Sequence, residues 1–160
     1  MKTNIIIADL NDPFHAQAII ALLEAFALDP MGGNQALTVF TKENLIAALK
    51  QRRAIRTMIA FVDGVPAGLA ICLEGFSTFS CKPLLNIHDL VVAPAFRGEG
   101  IGRQIIEKVI SLANHLGCCK VTLEVLEGNT RASGLYRSCG FVGYDLNPEM
   151  GKAMFLQHTL

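Results

Sequence analysis

Apolar and polar positions follow two different periods along the chain, and the switches between them lay out its elements. A short apolar run from Asn4 to Leu10 is closed by Asn11-Asp12-Pro13, where Asp12 can cap and Pro13 can take the first helical position. Beyond it Phe14, Ala18, Leu22 and Phe26 recur at every fourth position, which predicts a helix to about Leu28, stopped by Asp29-Pro30 and Gly32-Gly33. Thr41 is the expected cap of a second helix that passes through Leu45 and Leu49 to about Arg52. Ile55 to Val62 and Val65 to Gly75 are rich in β-formers and flank Asp63-Gly64, a strong hairpin signal, so the two are expected as antiparallel neighbours. A loop around Ser77 to Pro83 then leads into a fourth strand, Leu84 to Val92.

The helical period returns at Ile101, Ile105, Val109, Leu112 and Leu116, interleaved with Arg103, Glu107, Lys108, Ser111 and Asn114, and Gly117 ends it. Lys120 to Val125 is the next strand. Asn129 can cap a short helix from Thr130 to Cys139, which Gly140 terminates, and Phe141 to Leu160 fits two further strands around Asn147-Pro148. The order predicts an α/β fold: a mixed central sheet of about seven strands flanked by about four helices. The long helical connection between the fourth and fifth strands predicts a right-handed crossover and a parallel pair.

Length and composition narrow the classes. At 160 residues and 51% hydrophobic, the chain is expected to form a single domain spanning 1–160 with an ample core. Fourteen Lys and Arg balance 14 Asp and Glu, so no field draws the molecule to nucleic acid or to an acidic membrane surface. Mean hydropathy is high, +0.39, but the longest apolar stretches, Val65 to Leu73 and Leu90 to Phe96, fall far short of the ~20 residues of a membrane span. The amino terminus has no signal-peptide pattern, so a cytoplasmic protein is expected. Five cysteines without a C-x-x-C pair, and four histidines without ligand spacing, predict neither a disulfide frame nor a metal. The apolar content is compatible with a homodimer, without locating a self-complementary patch.

The chemistry concentrates in Arg97-Gly98-Glu99-Gly100-Ile101-Gly102, between a buried strand and the first turn of an amphipathic helix. Its glycines let the backbone approach a ligand, and the unpaired first amides of the helix, with the positive end of the macrodipole behind them, favour an anion. A nucleotide-triphosphate loop is excluded, because Gly102 is followed by Arg103-Gln104 where Lys and Ser or Thr are needed. A dinucleotide fingerprint fits the even spacing of Gly98, Gly100 and Gly102 poorly, although Glu124 lies at a suitable distance for a ribose-binding acid, and it remains an alternative.

Arg97-x-x-Gly100-x-Gly102, preceded by His88-Asp89-Leu90-Val91-Val92 and Pro94, resembles the coenzyme A loop of the GNAT superfamily of N-acetyltransferases, Gln/Arg-x-x-Gly-x-Gly/Ala. Downstream, Leu123-Glu124-Val125, Asn129, Ala132, Leu135-Tyr136 and Gly140-Phe141 are similar to the second half of that pattern in order and interval. The resemblance is tight from about Leu84 to Phe141. It implies acetyl-coenzyme A as cosubstrate, bound through Arg97, Gly98, Glu99, Gly100, Ile101, Gly102 and Arg103 at the pyrophosphate, with Leu90, Val91 and Val92 pairing along the pantetheine arm and Asn129 near it. Acetyl transfer to a primary amine would proceed directly in a ternary complex, with a backbone amide polarising the carbonyl.

Tyr136 is implied as the general acid at the departing sulfur, and the bland alternative is a core tyrosine on the apolar face of Ala132, Leu135 and Cys139. Glu124 is implied as a general base, direct or through water; a carboxylate paired with a cation would explain it equally. Asn129 also serves as a helix cap. His88 and Asp89 are expected on opposite faces of their strand, which is somewhat like that of diamine acetyltransferases; Asp89 would then hold a second positive charge on the acceptor, although His88 stands where an acid would strengthen the likeness. Phe76 and Phe79, with Met31-Gly32-Gly33, are candidate walls of the acceptor pocket. A non-catalytic acyl-coenzyme A binding module on the same scaffold is the rival from another class. The acceptor, a small-molecule or protein amine, is not identified by the sequence.

Overall fold

The computed structural model describes residues 2–160. In chain order it contains β1 (Thr3–Ile7), α1 (Pro13–Ala27), a 3-10 turn (Pro30–Gly32), α2 (Val39–Lys50), β2 (Ile55–Val62), β3 (Val65–Ser77), β4 (Lys82–Val92), a 3-10 turn (Pro94–Phe96), α3 (Ile101–His115), β5 (Val121–Leu123), α4 (Thr130–Ser138) and a last 3-10 turn (Pro148–Met150). The strands form one mixed sheet in the order β1-β2-β3-β4-β5. Its first three pairings are antiparallel, and β4 and β5 run parallel across the α3 connection.

Local chemistry accounts for most boundaries. Asp12 accepts a 2.8 Å hydrogen bond from the Phe14 amide and Pro13 opens α1. The tight β2–β3 turn holds Asp63 and Gly64 at φ 48° and 83°, the geometry that favours Asp-Gly there. α2 begins earlier than its pattern implied: Thr38 Oγ1 accepts from the Thr41 amide at 3.1 Å, so Thr41 is the residue capped and Thr38 the cap.

Helices cover both faces of the sheet. Ala18, Ile19 and Leu22 of α1 pack on Ile59, Phe61, Leu69 and Val91, while Ile101, Ile105 and Val109 of α3 pack on Met58, Ala60, Ala70, Leu85 and Ile87. Each fully buried aliphatic side chain contributes ~1.5–3 kcal/mol, so the α3 stripe fixes that helix, and hence its amino terminus, firmly to the sheet.

Three expectations are corrected. Among the described residues the sheet has five strands and not about seven. Phe141 to Leu160, expected as two strands, forms no ladder: Gly143, Pro148 and Gly151 weaken any strand there, and Asn147 caps the short turn at Pro148 by accepting from the Glu149 amide. The side chains of Val142, Leu146 and Met154 stand 90%, 82% and 78% exposed, so no apolar partner repays the order a strand would need. Between β3 and β4, the expected loop is a continued hairpin, with Phe76 paired to Pro83 and Ser77 to Lys82, which leaves only residues 78–81 as the turn.

Candidate active site

The parallel ladder between β4 and β5 is short. It runs from Leu85↔Val121 to Ile87↔Leu123 and stops, while β4 continues to Val92. Beyond that point the edge of Leu90, Val91 and Val92 has β3 on one side, through Ala70↔Leu90 and Leu69↔Val91, and among the described residues no strand on the other. A cleft of about 440 Å³ lies there. Its lining joins Leu90, Val91 and Val92 to Arg97, Gly98, Gly100, Ile101, Gly102 and Arg103, to the start of α4 at Asn129 to Ala132, and to Leu135 and Tyr136.

The glycine segment is built to present amides. Gly98 and Gly100 hold φ of 91° and 78°, a left-handed conformation that a side chain would strain. The helix's first backbone bond runs from the Gln104 amide to the Gly100 carbonyl at 3.2 Å, so the amides of Ile101, Gly102 and Arg103 precede the intrahelical ladder and are open to an acceptor. Glu99 is exposed and outside the cleft lining. Arg103 turns its guanidinium to α4, donating to Ser138 Oγ at 2.7 Å and to its carbonyl at 3.3 Å, so it offers the cleft its backbone. The Arg97 side chain is likewise engaged: Nε donates to the Val92 carbonyl at 3.0 Å and Nη2 to Asp29 Oδ2 at 2.9 Å.

Asn129 caps α4 by accepting from the Ala132 amide at 3.1 Å and lines the cleft, so the two roles implied for it coincide in space. About two turns on, Tyr136 lines the same cleft, its ring 6.0 Å from that of Phe141 at 59°. Burial pushes its phenol above the usual tyrosine range, so the hydroxyl keeps its proton at neutral pH and remains a donor.

Glu124 lies just past the end of β5, exposed, on the face of Thr122 rather than that of Val121 and Leu123. Asn86 of β4, which the sequence did not single out, stands between them: its Nδ2 donates to Thr122 Oγ1 at 3.0 Å and approaches Glu124 Oε1 and Oε2 at 3.4 and 3.5 Å. The expected alternation of His88 and Asp89 is broken by a bulge, because Ile71 pairs with Asp89 while Cys72 pairs with Ile87, leaving His88 as the extra residue. His88 is exposed and Asp89 is mostly buried; desolvation raises the Asp89 carboxyl above the ordinary range while neighbouring His88 lowers it. Beneath it, burial first and Asp89 second push the Cys72 thiol up to about 12. Neither Glu124 nor Asp89 lines the 440 Å³ cleft.

Phe76 and Phe79 stand 60% and 99% exposed at the far end of the β3–β4 hairpin, away from the cleft lining. Met31 does line it, together with Phe26 and Asp29, from the α1 side. The sequence pattern marks Asp29 only as part of a helix stop. A carboxylate just beyond a helix end, two residues before an amide it can accept from, was the available signal. Among the described residues no three His, Cys, Asp or Glu side chains converge on a metal position, and no helix is long and apolar enough to cross a membrane.

The profile of the Acetyltransferase (GNAT) family matches residues 17–141. A thialysine N-epsilon-acetyltransferase of Caenorhabditis elegans is 29% identical over 131 residues, 81% of this chain and 79% of that protein. One of the same name from Bos taurus is 37% identical over 86 residues, and that match spans about half of each chain, 51% and 51%. Among solved structures, an aminoglycoside acetyltransferase from an uncultured soil metagenomic sample superposes with a TM-score of 0.79 at 21% identity, covering 99% of this chain and 96% of the other; that likeness carries the fold.

Proposed function

The chain belongs to the GNAT acetyltransferase family, and on that premise we propose that it moves the acetyl group of acetyl-coenzyme A directly to a primary amine. The observation that carries this reading is the coincidence, in one cleft, of open amides at the start of α3, a stretch of β4 paired on one edge only and the phenol of Tyr136. The pyrophosphate settles on the amides of Gly98 to Arg103, where two left-handed glycines remove side-chain obstruction. Pantetheine adds along Leu90, Val91 and Val92 as a further strand. A free amide of that stretch polarises the acetyl carbonyl.

The amine lone pair forms the new C–N bond as the C–S bond breaks. Tyr136 gives its proton to the departing sulfur, and the amine proton passes to Glu124, directly or through water. Asn86 Nδ2 stands 3.4 and 3.5 Å from the two Glu124 carboxylate oxygens, beside the end of the β4–β5 ladder. No cysteine serves as a carrier in this scheme: Cys72 is buried and held as a thiol, and Cys118 is also pushed up by burial.

Lysine-like side-chain amines head the acceptor classes, since relatives aligned over a third to four fifths of the chain bear the name thialysine N-epsilon-acetyltransferase. The test is thiol release from acetyl-coenzyme A against a panel of thialysine, lysine, diamines, aminoglycosides and peptide amino termini. Turnover with one class identifies the acceptor. Coenzyme A binding with no turnover for any amine favours the non-catalytic binding module, and absence of binding overturns both.

A further inference from the structure

Resting on that reading, we propose that Asp29 is a positioning residue which, through Arg97, couples occupancy of the coenzyme A cradle to the turn that forms the α1-side wall of the cleft. The two residues are 68 positions apart and meet at 2.9 Å. Oδ1 of Asp29 accepts from the Met31 amide at 2.9 Å, and Oδ2 accepts from Arg97 Nη2. The same guanidinium grips the last carbonyl of β4, Val92, through Nε at 3.0 Å. A continuous path of hydrogen bonds therefore runs from Met31, on one wall, through Asp29 and Arg97 to the end of the strand against which pantetheine lies.

The Asp29 backbone makes the turn a unit. Its carbonyl accepts from the amides of Gly32 and Asn34 at 2.8 and 3.1 Å, and its own amide donates to the Phe26 carbonyl at 2.9 Å. Gly32 is pressed so closely on the end of α1 that an added Cβ would stand 1.9 Å from the Phe26 carbonyl oxygen. The turn therefore moves as one piece, and its attachment to the cradle across the cleft is the ion pair. Both side chains of that pair are only partly exposed, 32% for Arg97 and 20% for Asp29, so solvent screens it less than a fully exposed pair. A diphosphate on the neighbouring amides acts on the same guanidinium, and any change in its position is passed to Met31.

The experiment is hydrogen exchange on peptides covering 28–36 and 97–104, with and without coenzyme A. In the native protein coenzyme A is expected to slow exchange in both segments, by about tenfold at the turn, within the usual range of coupling between sites. Asp29→Asn keeps an oxygen for the Met31 amide but offers Arg97 a neutral amide; coenzyme A should then protect 97–104 alone. Asp29→Glu, which restores the charge, should recover part of the protection at 28–36. Should Asp29→Asn fold poorly, Arg97→Lys keeps the charge, loses the two-pronged grip and should give the same uncoupling. Protection of 28–36 that is absent in the native protein, or equal in native and variant, overturns the coupling while leaving the donor site intact. No protection at 97–104 in the native protein removes the donor site itself.

Discussion

Gly102 in the first turn of α3 lies directly under Leu135 of α4: a Cβ on Gly102 would stand 2.8 Å from Leu135 Cδ2 and 3.6 Å from Val92 Cγ2. The cradle, the helix that carries Tyr136 and the donor strand thus meet at one atom's width. The obstructing atom is the tip of a flexible side chain, so Gly102→Ala is expected to fold with a loss of ~1 kcal/mol while displacing α4. Its kcat should fall more than its affinity for coenzyme A, measured by steady-state rates beside calorimetry. Gly68→Ala is the contrast, because there the new atom would meet Ile105 Cδ1 at 2.6 Å and the backbone oxygen of Val91 at 2.9 Å. Backbone in a central strand yields poorly, and a loss of ~1–3 kcal/mol is expected in urea unfolding.

Tyr136→Phe removes one oxygen from a side chain whose ring packs on Phe141. The fold and the coenzyme A affinity should be unchanged and kcat should fall by ~100-fold, the usual contribution of a positioned acid. Because burial holds the phenol protonated through neutral pH, the native enzyme should show no loss of rate from this group until the pH exceeds the ordinary tyrosine range. Equal kcat in the variant would assign the tyrosine to packing alone.

Asn129 holds one end of the same helix. Asn129→Ala deprives the Ala132 amide of its acceptor and is expected to cost ~1 kcal/mol in thermal unfolding. Since α4 has no fully buried residue to anchor it, the loss should also loosen Tyr136 and depress kcat. A lower Tm with unaltered kcat would separate the cap from the chemistry.

For the base, Glu124→Gln keeps the size of the side chain and its approach to Asn86 while removing the proton acceptor. The rise of kcat/KM with pH that a carboxylate base produces should vanish, leaving only the titration of the amine. A pH profile that superimposes on the native one would release Glu124 from the reaction.

Much of this is legible in the sequence. Asp12-Pro13, Asp63-Gly64, the α3 stripe and Gly98-x-Gly100 each couple residue type to backbone geometry within a few positions, and each lies where its pattern placed it. What the sequence concealed depends on distant partners. Asp29 meets Arg97 across 68 positions, Asn86 meets Glu124 across 38, and neither is encoded by local period. The bulge at His88 interrupts the ladder on which alternation rests, and the local period does not reveal it. The tail failed as a pair of strands for the same reason: apolar alternation predicts a strand only where another edge receives it.

Asp89 offers a test of that burial through the pH dependence of stability. In the unfolded chain its carboxyl ionises at the ordinary value of ~3.9. In the folded protein desolvation on β4 raises that value, with the nearby His88 opposing, and the buried Cys72 thiol facing it stays neutral. Between the two values the folded state binds more protons than the unfolded one. The contribution of this group to stability is therefore complete below the unfolded value and is lost as the pH rises through the folded value. Asp89→Asn removes the titration and keeps the shape. The variant should match the native protein most closely below the unfolded value and gain on it as the pH rises, until the native carboxyl is ionised in the folded state as well. Urea midpoints for both proteins over this range measure the difference, in which titrating groups remote from Asp89 cancel. A difference that stays constant with pH would mean that Asp89 ionises alike in both states, and that the bulge leaves its carboxylate in water.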